Sequence, residues 1–266
     1  MKNPKFILSP QSLLYTFLLV TFLFSCQTEI IPEENFQSVD LKVANSNDFY
    51  GPAVPFGNGV VRSFLSLTKE GNPVAVGLEI SEKAMQKLPD LDAEIILELP
   101  KKAEDLIIDH IALGWNPMGH EPPGVYDLPH FDMHFYWIPE EDVLAINSPD
   151  LAEKLPASMF WPETYFDTPG YVPMMGKHWL SALSPELAGS VFDHTFIYGS
   201  YDGNFIFYEP MITWDFLNNR EFEDHYSIHQ PENFARTGYY YAASYQIRFD
   251  EQKKVYRIAL TDLFWE

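Results

Sequence analysis

Short runs of β-branched and aromatic residues recur along the chain, and glycine, proline, asparagine or aspartate bounds most of them. These residue types favour strands, and the bounding residues favour the turns between strands. The predicted strands cover residues 60–68, 74–80, 94–99, 106–115, 130–138, 194–201, 204–212, 239–249 and 255–261. The pattern predicts a mainly β (α+β) fold, with antiparallel strands in a sandwich or barrel and a few short helices.

Helical signals are short and widely separated. Ser81 can cap a helix over residues 82–88, Ser184-Pro185 places a cap before a proline at the first helical position, and Thr213 can open a turn that runs to Leu217. No internal repeat, low-complexity segment or second linker follows residue 50. We therefore expect one β-rich domain over residues 50–266.

One pair of predicted strands allows a register to be proposed. Residues 194–201 and 204–212 flank Asp202-Gly203, a dipeptide that favours two-residue turns because glycine tolerates positive φ. A regular hairpin of this kind places Phe196 opposite Glu209. Glu209 would then share a largely aromatic face, where an acid is expected to have a partner.

The predicted strand at residues 130–138 separates its side chains into a polar and an apolar face. His130, Asp132 and His134 alternate with phenylalanine and methionine, and alternate residues of a strand share a face at a spacing of about 6.8 Å. Neighbouring members of the series could bind one ion, whereas the two histidines would be about 13 Å apart and would need a bulge to share it. In a helix they would lie one turn apart and could clasp a metal, but the aromatic composition favours the strand.

Other histidines and acids lie in segments that glycine and proline hold in defined conformations. A loop rich in both residues precedes the polar strand, and a second such segment, VPMMGKHW, carries a single histidine. We expect these groups to converge with the polar strand on one centre, since unpaired buried charges are costly. The candidate metal-binding or catalytic residues are His120, Glu121, His130, Asp132, His134, His178 and Glu209.

Histidine with carboxylate suits a divalent metal such as zinc, which could activate water for hydrolysis. Two other interpretations stay open for the same residues. They could form a hydrogen-bonded brace in a structural or oligomeric envelope protein, or they could line a polar ligand pocket. Similarly, the run Tyr239-Tyr240-Tyr241 could line a sugar or aromatic pocket, although an aromatic strand more often faces the core.

The N-terminus has the features of a bacterial lipoprotein signal. Lys2 and Lys5 precede an uncharged apolar stretch at residues 13–24, and the run Leu23-Phe24-Ser25-Cys26 resembles a lipobox. The sequence therefore predicts a signal peptide at 1–25, lipid on Cys26, an acidic tether at 26–49 and attachment to a membrane of the cell envelope, outside the cytoplasm. Cys26 is the only cysteine, so a disulfide within the chain is excluded.

The charge and the motif content exclude other classes of protein. The chain has a formal net charge of −21, which would repel phosphate backbones, so we expect no nucleic-acid partner. The sequence contains no glycine-rich phosphate-binding loop and no Gly-x-Ser-x-Gly nucleophile motif.

Several stretches together resemble a family of uncharacterised bacterial exported proteins that has a structurally known relative in Thermus thermophilus. The stretches include YDLPHFDMHFY at 126–136, WNPMGHEPP at 115–123, MGKHW at 175–179 and YGSYDG at 198–203, and they lie between about residues 50 and 265. The resemblance implies a single β-rich domain of unknown function and a homo-oligomer, and it assigns no catalytic residue.

Overall fold

The computed structural model describes residues 46–266 apart from Asp224. The predicted signal peptide, Cys26 and most of the predicted tether lie outside the described residues. No helix in the described part of the chain is long and apolar enough to cross a membrane.

The described residues form two antiparallel sheets, which confirms the predicted mainly β fold. The first sheet has the order β1-β3-β4-β14-β13-β12, with β2 paired to β3. Its strands are β1 (Asn47–Tyr50), β2 (Val54–Phe56), β3 (Gly59–Leu67), β4 (Pro73–Ser81), β12 (Tyr226–Ser227), β13 (Tyr240–Asp250) and β14 (Val255–Trp265).

The second sheet has the order β5-β6-β7-β11-β10-β9-β8, so β7 and β11 lie near its middle. Its strands are β5 (Ala93–Glu98), β6 (His110–Asn116), β7 (His130–Tyr136), β8 (Tyr165–Asp167), β9 (Lys177–Ser181), β10 (His194–Tyr201) and β11 (Asn204–Thr213). The short helices are α1 (Glu140–Leu144), α2 (Pro149–Ala152) and α3 (Trp214–Asn219), with 3₁₀ turns at Ser158–Phe160 and Pro185–Ala188.

One hydrophobic core lies between the sheets. Leu78 and Ile258 of the first sheet belong to the same buried cluster as Phe131, Phe135 and Tyr208 of the second. Side chains on a strand alternate between faces, so the apolar side of β7 enters this core and the polar side faces outward. The outward face is therefore where the candidate site residues must lie.

Loops and helices cover that outward face. Val143 and Ile146 pack over Tyr136 and Phe207 in one apolar cluster. In a second cluster, Tyr126 and Phe192 pack over Leu180, Ile197 and Met211. Every residue of β7 is buried as a result, and polar groups on this strand must find partners inside the protein.

The predicted helix at residues 82–88 is wrong. Ser81 belongs to β4, and its hydroxyl accepts a hydrogen bond from the Val60 amide instead of capping a helix. The following residues form turns, with hydrogen bonds from Ala84 N to Ser81 O and from Gln86 N to Lys83 O. The helical prediction at Thr213 is confirmed, since the Thr213 hydroxyl caps α3. A 3₁₀ turn forms at Pro185–Ala188, but the Ser184 hydroxyl pairs with Thr195 and does not cap it.

The predicted hairpin forms, but its register differs from the prediction. Asp202 and Gly203 form the two-residue turn with φ of 47° and 78°. Phe196 lies opposite Pro210, and Ile197 is the residue opposite Glu209. A bulge causes the shift, because the pairing moves by one residue between Gly199 and Ser200.

Candidate metal centre

A first group of potential metal ligands joins a loop to strand β7. His120 lies in the loop before β7, and His130 and Asp132 lie on the strand. His120 Nε2 is 3.3 Å from Asp132 Oδ2, and His130 Nε2 is 3.1 Å from Asp132 Oδ1. Asp132 therefore stands between two imidazole nitrogens, and the three ligand atoms lie within 4.8 Å of one another.

Backbone carbonyls orient both imidazole rings of this group. His120 Nδ1 lies 2.7 Å from the Glu121 carbonyl oxygen, and His130 Nδ1 lies 2.7 Å from that of Leu128. A carbonyl only accepts hydrogen bonds, so each Nδ1 donates, and the Nε2 atom of each ring faces Asp132. Metal-binding histidines are commonly held in this way.

The Asp132 carboxylate is ionised inside the protein. Burial alone would raise its pKa, but the contacts with His120 and His130 hold that pKa well below the usual range. Asn116 Nδ2 also donates to Asp132 Oδ2 at 2.7 Å. For His120, burial would lower the pKa, yet Asp132 outweighs burial and raises it.

A second group lies beside the first on the same face. It consists of His134 on β7, His178 on β9 and Glu209 on β11. His134 Nε2 is 3.4 Å from Glu209 Oε1, and His178 Nε2 is 3.5 Å from Glu209 Oε2. The pairings of Tyr208 with Phe135 and of Met211 with Asp132 put Glu209 opposite His134.

The second group has the opposite charge state. Burial lowers the pKa of His134 to about 3 and that of His178 to about 4. Burial, reinforced by the charge of Asp132, raises the pKa of Glu209 well above its usual value. Near neutral pH and without metal, both imidazoles are thus uncharged, and burial favours the protonated form of the Glu209 carboxyl.

Aromatic rings hold His134 in place. Its ring stacks on Tyr136 with centroids 5.4 Å apart, and Phe207 contacts it edge-on at 4.8 Å. Phe207 also contacts His178, with ring centroids 5.5 Å apart. Aromatic packing therefore orients the imidazole rings of the second group, whereas backbone carbonyls orient those of the first group.

Polar atoms in both groups lack hydrogen-bond partners. The atoms are buried, and none has a hydrogen-bond partner within the described part of the chain, although nearly all buried polar atoms in proteins are paired. They are His130 Nε2, Asp132 Oδ1, both ring nitrogens of His134 and Glu209 Oε2. His130 Nε2 and Asp132 Oδ1 lie 3.1 Å apart, but this contact does not have the geometry of a hydrogen bond. Apart from His134 Nδ1, each lies in a group whose ligand atoms face one another, an arrangement that a cation would satisfy.

The structure brings together six of the seven candidate residues, but in two groups instead of the predicted single centre. Glu121 is not in either group, because only its backbone carbonyl contacts His120. The segment at 130–136 is a strand, so the helical alternative is wrong. His130 and His134 belong to different groups, as the spacing along a strand requires.

Sequence reasoning missed several residues that support the groups. Asn116 lies directly opposite His130 and donates a hydrogen bond to Asp132. Its position at the start of the proline-rich loop was the feature of the sequence that could have indicated this role. Tyr126 anchors the same loop, with its hydroxyl 3.3 Å from Glu186 Oε1. Phe207 gave no signal, since an aromatic residue in a strand is usually a core residue.

Comparison with known proteins gives one partial match. The model of a family described as TTHB210-like, after the hypothetical protein TTHB210, matches residues 68–115. This supports an uncharacterised domain with a Thermus thermophilus relative. No curated protein and no solved structure matches the chain. The matched residues end before His120, so the comparison assigns no role to either group.

Proposed function

We propose that this protein binds divalent metal, with zinc as the best fit, at both groups on the outward face of the second sheet, and that the metal supports hydrolytic chemistry. The observation that carries the proposal is that each group contains buried nitrogen or oxygen atoms without a hydrogen-bond partner among the described residues. Each group offers two imidazoles and one carboxylate. Zinc sites with three protein ligands of these types leave a fourth position for water or substrate.

The two groups suit different roles. The ring of His120 is 35% exposed and opens the first group to solvent, whereas Glu209 and His134 are 2% and 1% exposed. Zinc supplies a polarised water whose pKa is lowered to about 7. In the hydrolysis of an ester, the water oxygen bonds to the acyl carbon, the bond to the alcohol oxygen breaks, and the alcohol leaves with a proton. The first group is the more accessible to a substrate, since His178, the most exposed residue of the second group, is only 18% exposed.

A hydrogen-bonded brace is the second candidate, and the closed second group favours it. His134 and Glu209 are almost completely buried, and burial raises the pKa of Glu209, which favours a protonated carboxyl that could bridge to an imidazole. In that case the group would stiffen the contact of β7 with β9 and β11 without metal, as part of a structural or ligand-binding protein of the envelope.

Location outside the cytoplasm and a lipid anchor are also part of the proposal. The lipobox-like run that ends at Cys26 and the apolar stretch before it support them. An envelope location would place the metal groups where they could acquire zinc from outside the cytoplasm. The proposed partner is then the membrane, through lipid on Cys26.

Metal content measured on protein purified without chelator tests the proposal. Zinc-loaded and dialysed wild type should retain two equivalents, and Asp132→Asn and Glu209→Gln should each lose one. Glu121→Gln is the matched control, since it changes an exposed acid of the same loop outside both groups. Wild type that retains no metal would contradict the proposal. Two equivalents without zinc-dependent hydrolysis of 4-nitrophenyl acetate would leave metal binding and overturn the hydrolytic part.

A further inference from the structure

Lysine and arginine are absent from two long segments that build most of the second sheet. Residues 103–153 contain eleven acids and no lysine or arginine, and residues 178–219 contain five acids and no lysine or arginine. These two segments build β6, β7, β10, β11 and most of β9, as well as the loop that carries His120. The first sheet, in contrast, carries Arg62, Arg248 and Arg257.

Three basic side chains near the second sheet are already engaged. Lys177 is 2% exposed, and its Nζ lies 3.2 Å from both Glu153 Oε1 and Asp167 Oδ2. Lys154 Nζ lies 2.8 Å from Asp202 Oδ1. The Arg236 guanidinium donates to the Trp137 carbonyl oxygen at 2.7 Å. Trp137 follows the C-terminal end of β7, whereas Asp132 lies near the start of that strand.

Carboxylates lie at the exposed approach to the first metal group. Glu94 on β5 lies opposite Gly114, and Gly114 lies opposite Asp132, so no side chain stands between the two acids. Glu121 follows His120 in the loop and is exposed. The exposed approach to the first group therefore carries two carboxylates besides Asp132.

From this arrangement we infer that the metal centre selects substrates with a positively charged group close to the bond that is hydrolysed, and that it discriminates against phosphate, sulfate and carboxylate substrates. The inference rests on the proposed function. Apart from a metal ion itself, sites that bind anions use arginine, lysine or helix N-termini, and neither segment that builds this face contains a lysine or arginine. A cleft whose charges have one sign also raises the local concentration of oppositely charged ligands.

Two acetate esters of nearly equal shape test the inference on the zinc-loaded full chain. Acetylcholine carries a quaternary ammonium group, and 3,3-dimethylbutyl acetate has an uncharged tert-butyl group in its place. We expect kcat/KM for acetylcholine to be at least about tenfold higher than kcat/KM for 3,3-dimethylbutyl acetate at low ionic strength. The ratio of these two values should fall toward one in about 0.5 M salt, because exposed charges are then screened.

Variants assign the preference to particular residues. Glu94→Gln and Glu121→Gln should each lower the ratio about twofold to fivefold, because each removes one exposed charge near the site. Glu70→Gln makes the same change in a turn of the first sheet and should leave the ratio unchanged. Binding without turnover is measured by saturation-transfer NMR on metal-free protein with choline and 3,3-dimethylbutanol, where choline should give the stronger signal and Glu94→Gln should reduce it.

The outcomes separate the two proposals. If neither ester is hydrolysed in a zinc-dependent manner and choline still binds more strongly than its neutral analogue, the hydrolytic proposal fails and cation selection by this face stands. If both esters are hydrolysed at equal rates, or the ratio is insensitive to salt and to both variants, cation selection is overturned while the metal function stands.

Discussion

Gly199 leaves the space that the ring of Phe207 occupies, and that ring contacts His134. A Cβ atom on residue 199 would lie 1.9 Å from Phe207 Cζ. Phe207 has no room to move away, since it is completely buried and contacts Tyr136, His134 and His178. The absence of a side chain at Gly199 therefore determines the position of the Phe207 ring, which contacts both histidines of the second group.

The first prediction is that Gly199→Ala destabilises the protein and disrupts the second group. Forcing extra volume into a packed site typically costs about 1 to 3 kcal/mol. Urea unfolding should show this loss, and the zinc content should fall by one equivalent. Gly114→Ala is the control, because a Cβ there would meet Asp132 Cβ at an ordinary 3.6 Å. Equal stability of the two variants would contradict the role of Phe207.

Tyr126→Phe should weaken the anchor of the loop that carries His120. The Tyr126 hydroxyl donates to Glu186 Oε1 at 3.3 Å, and both residues are buried. Removing the hydroxyl leaves a buried carboxylate without this partner, at a cost of about 1 to 3 kcal/mol. A double-mutant cycle with Glu186→Gln measures the coupling between the two side chains. The double variant should lose less free energy of unfolding than the sum of the losses in the two single variants. Additive losses would show that the two side chains do not interact.

The metal-free protein should lose stability as the pH falls below 6.5, and His194 should contribute outside both metal groups. Burial lowers the pKa of His194 from 6.5 to about 4, so the folded state binds fewer protons than the unfolded state between these values. For His194 alone the loss between pH 7.5 and pH 5.5 is about 1 kcal/mol.

His194→Phe tests this contribution by urea unfolding at both pH values. The variant loses the contact of the ring with the Tyr245 hydroxyl at either pH, but it should show a smaller difference between them. A pH dependence equal to that of wild type would mean that His194 takes up its proton in the folded protein.

Anchoring is tested by expression of the full chain in a bacterial host. The wild type should sediment with membranes and carry a lipid-modified N-terminal cysteine, and Cys26→Ser should move to the soluble fraction, because acyl chains supply the membrane affinity. Mass spectrometry of the mature N-terminus checks the modification. Unmodified wild-type protein in the soluble fraction would refute the anchor.

Much of the fold could be predicted because the alternation of polar and apolar residues along individual strands matches which side chains face the core. In β7 the polar residues 130, 132 and 134 face outward and Phe131 and Phe135 face the core. The short strands β8 and β9 were missed, since only three and five residues remain between loops rich in glycine and proline. Local composition carries little information about strands of that length.

The errors arose where tertiary packing decides the local structure. The bulge at Gly199 accommodates the Phe207 ring, and a regular hairpin register cannot anticipate such packing. Ser81 could have capped a helix, but pairing of β4 with β14 extends through Ser81 and keeps it in the strand. The division of the ligands into two groups depends on which strands neighbour β7, and a single sequence does not define that order.

X-ray anomalous diffraction at the zinc edge, measured on crystals of zinc-loaded wild type, tests the central claim most directly. The account predicts two anomalous peaks, one among His120, His130 and Asp132 and one among His134, His178 and Glu209, with ligand distances of about 2.0 to 2.2 Å. Peaks at other residues would contradict the assignment of the ligands. If no peak appears in either group although zinc was present at saturating concentration, the buried histidines and carboxylates are a hydrogen-bonded brace.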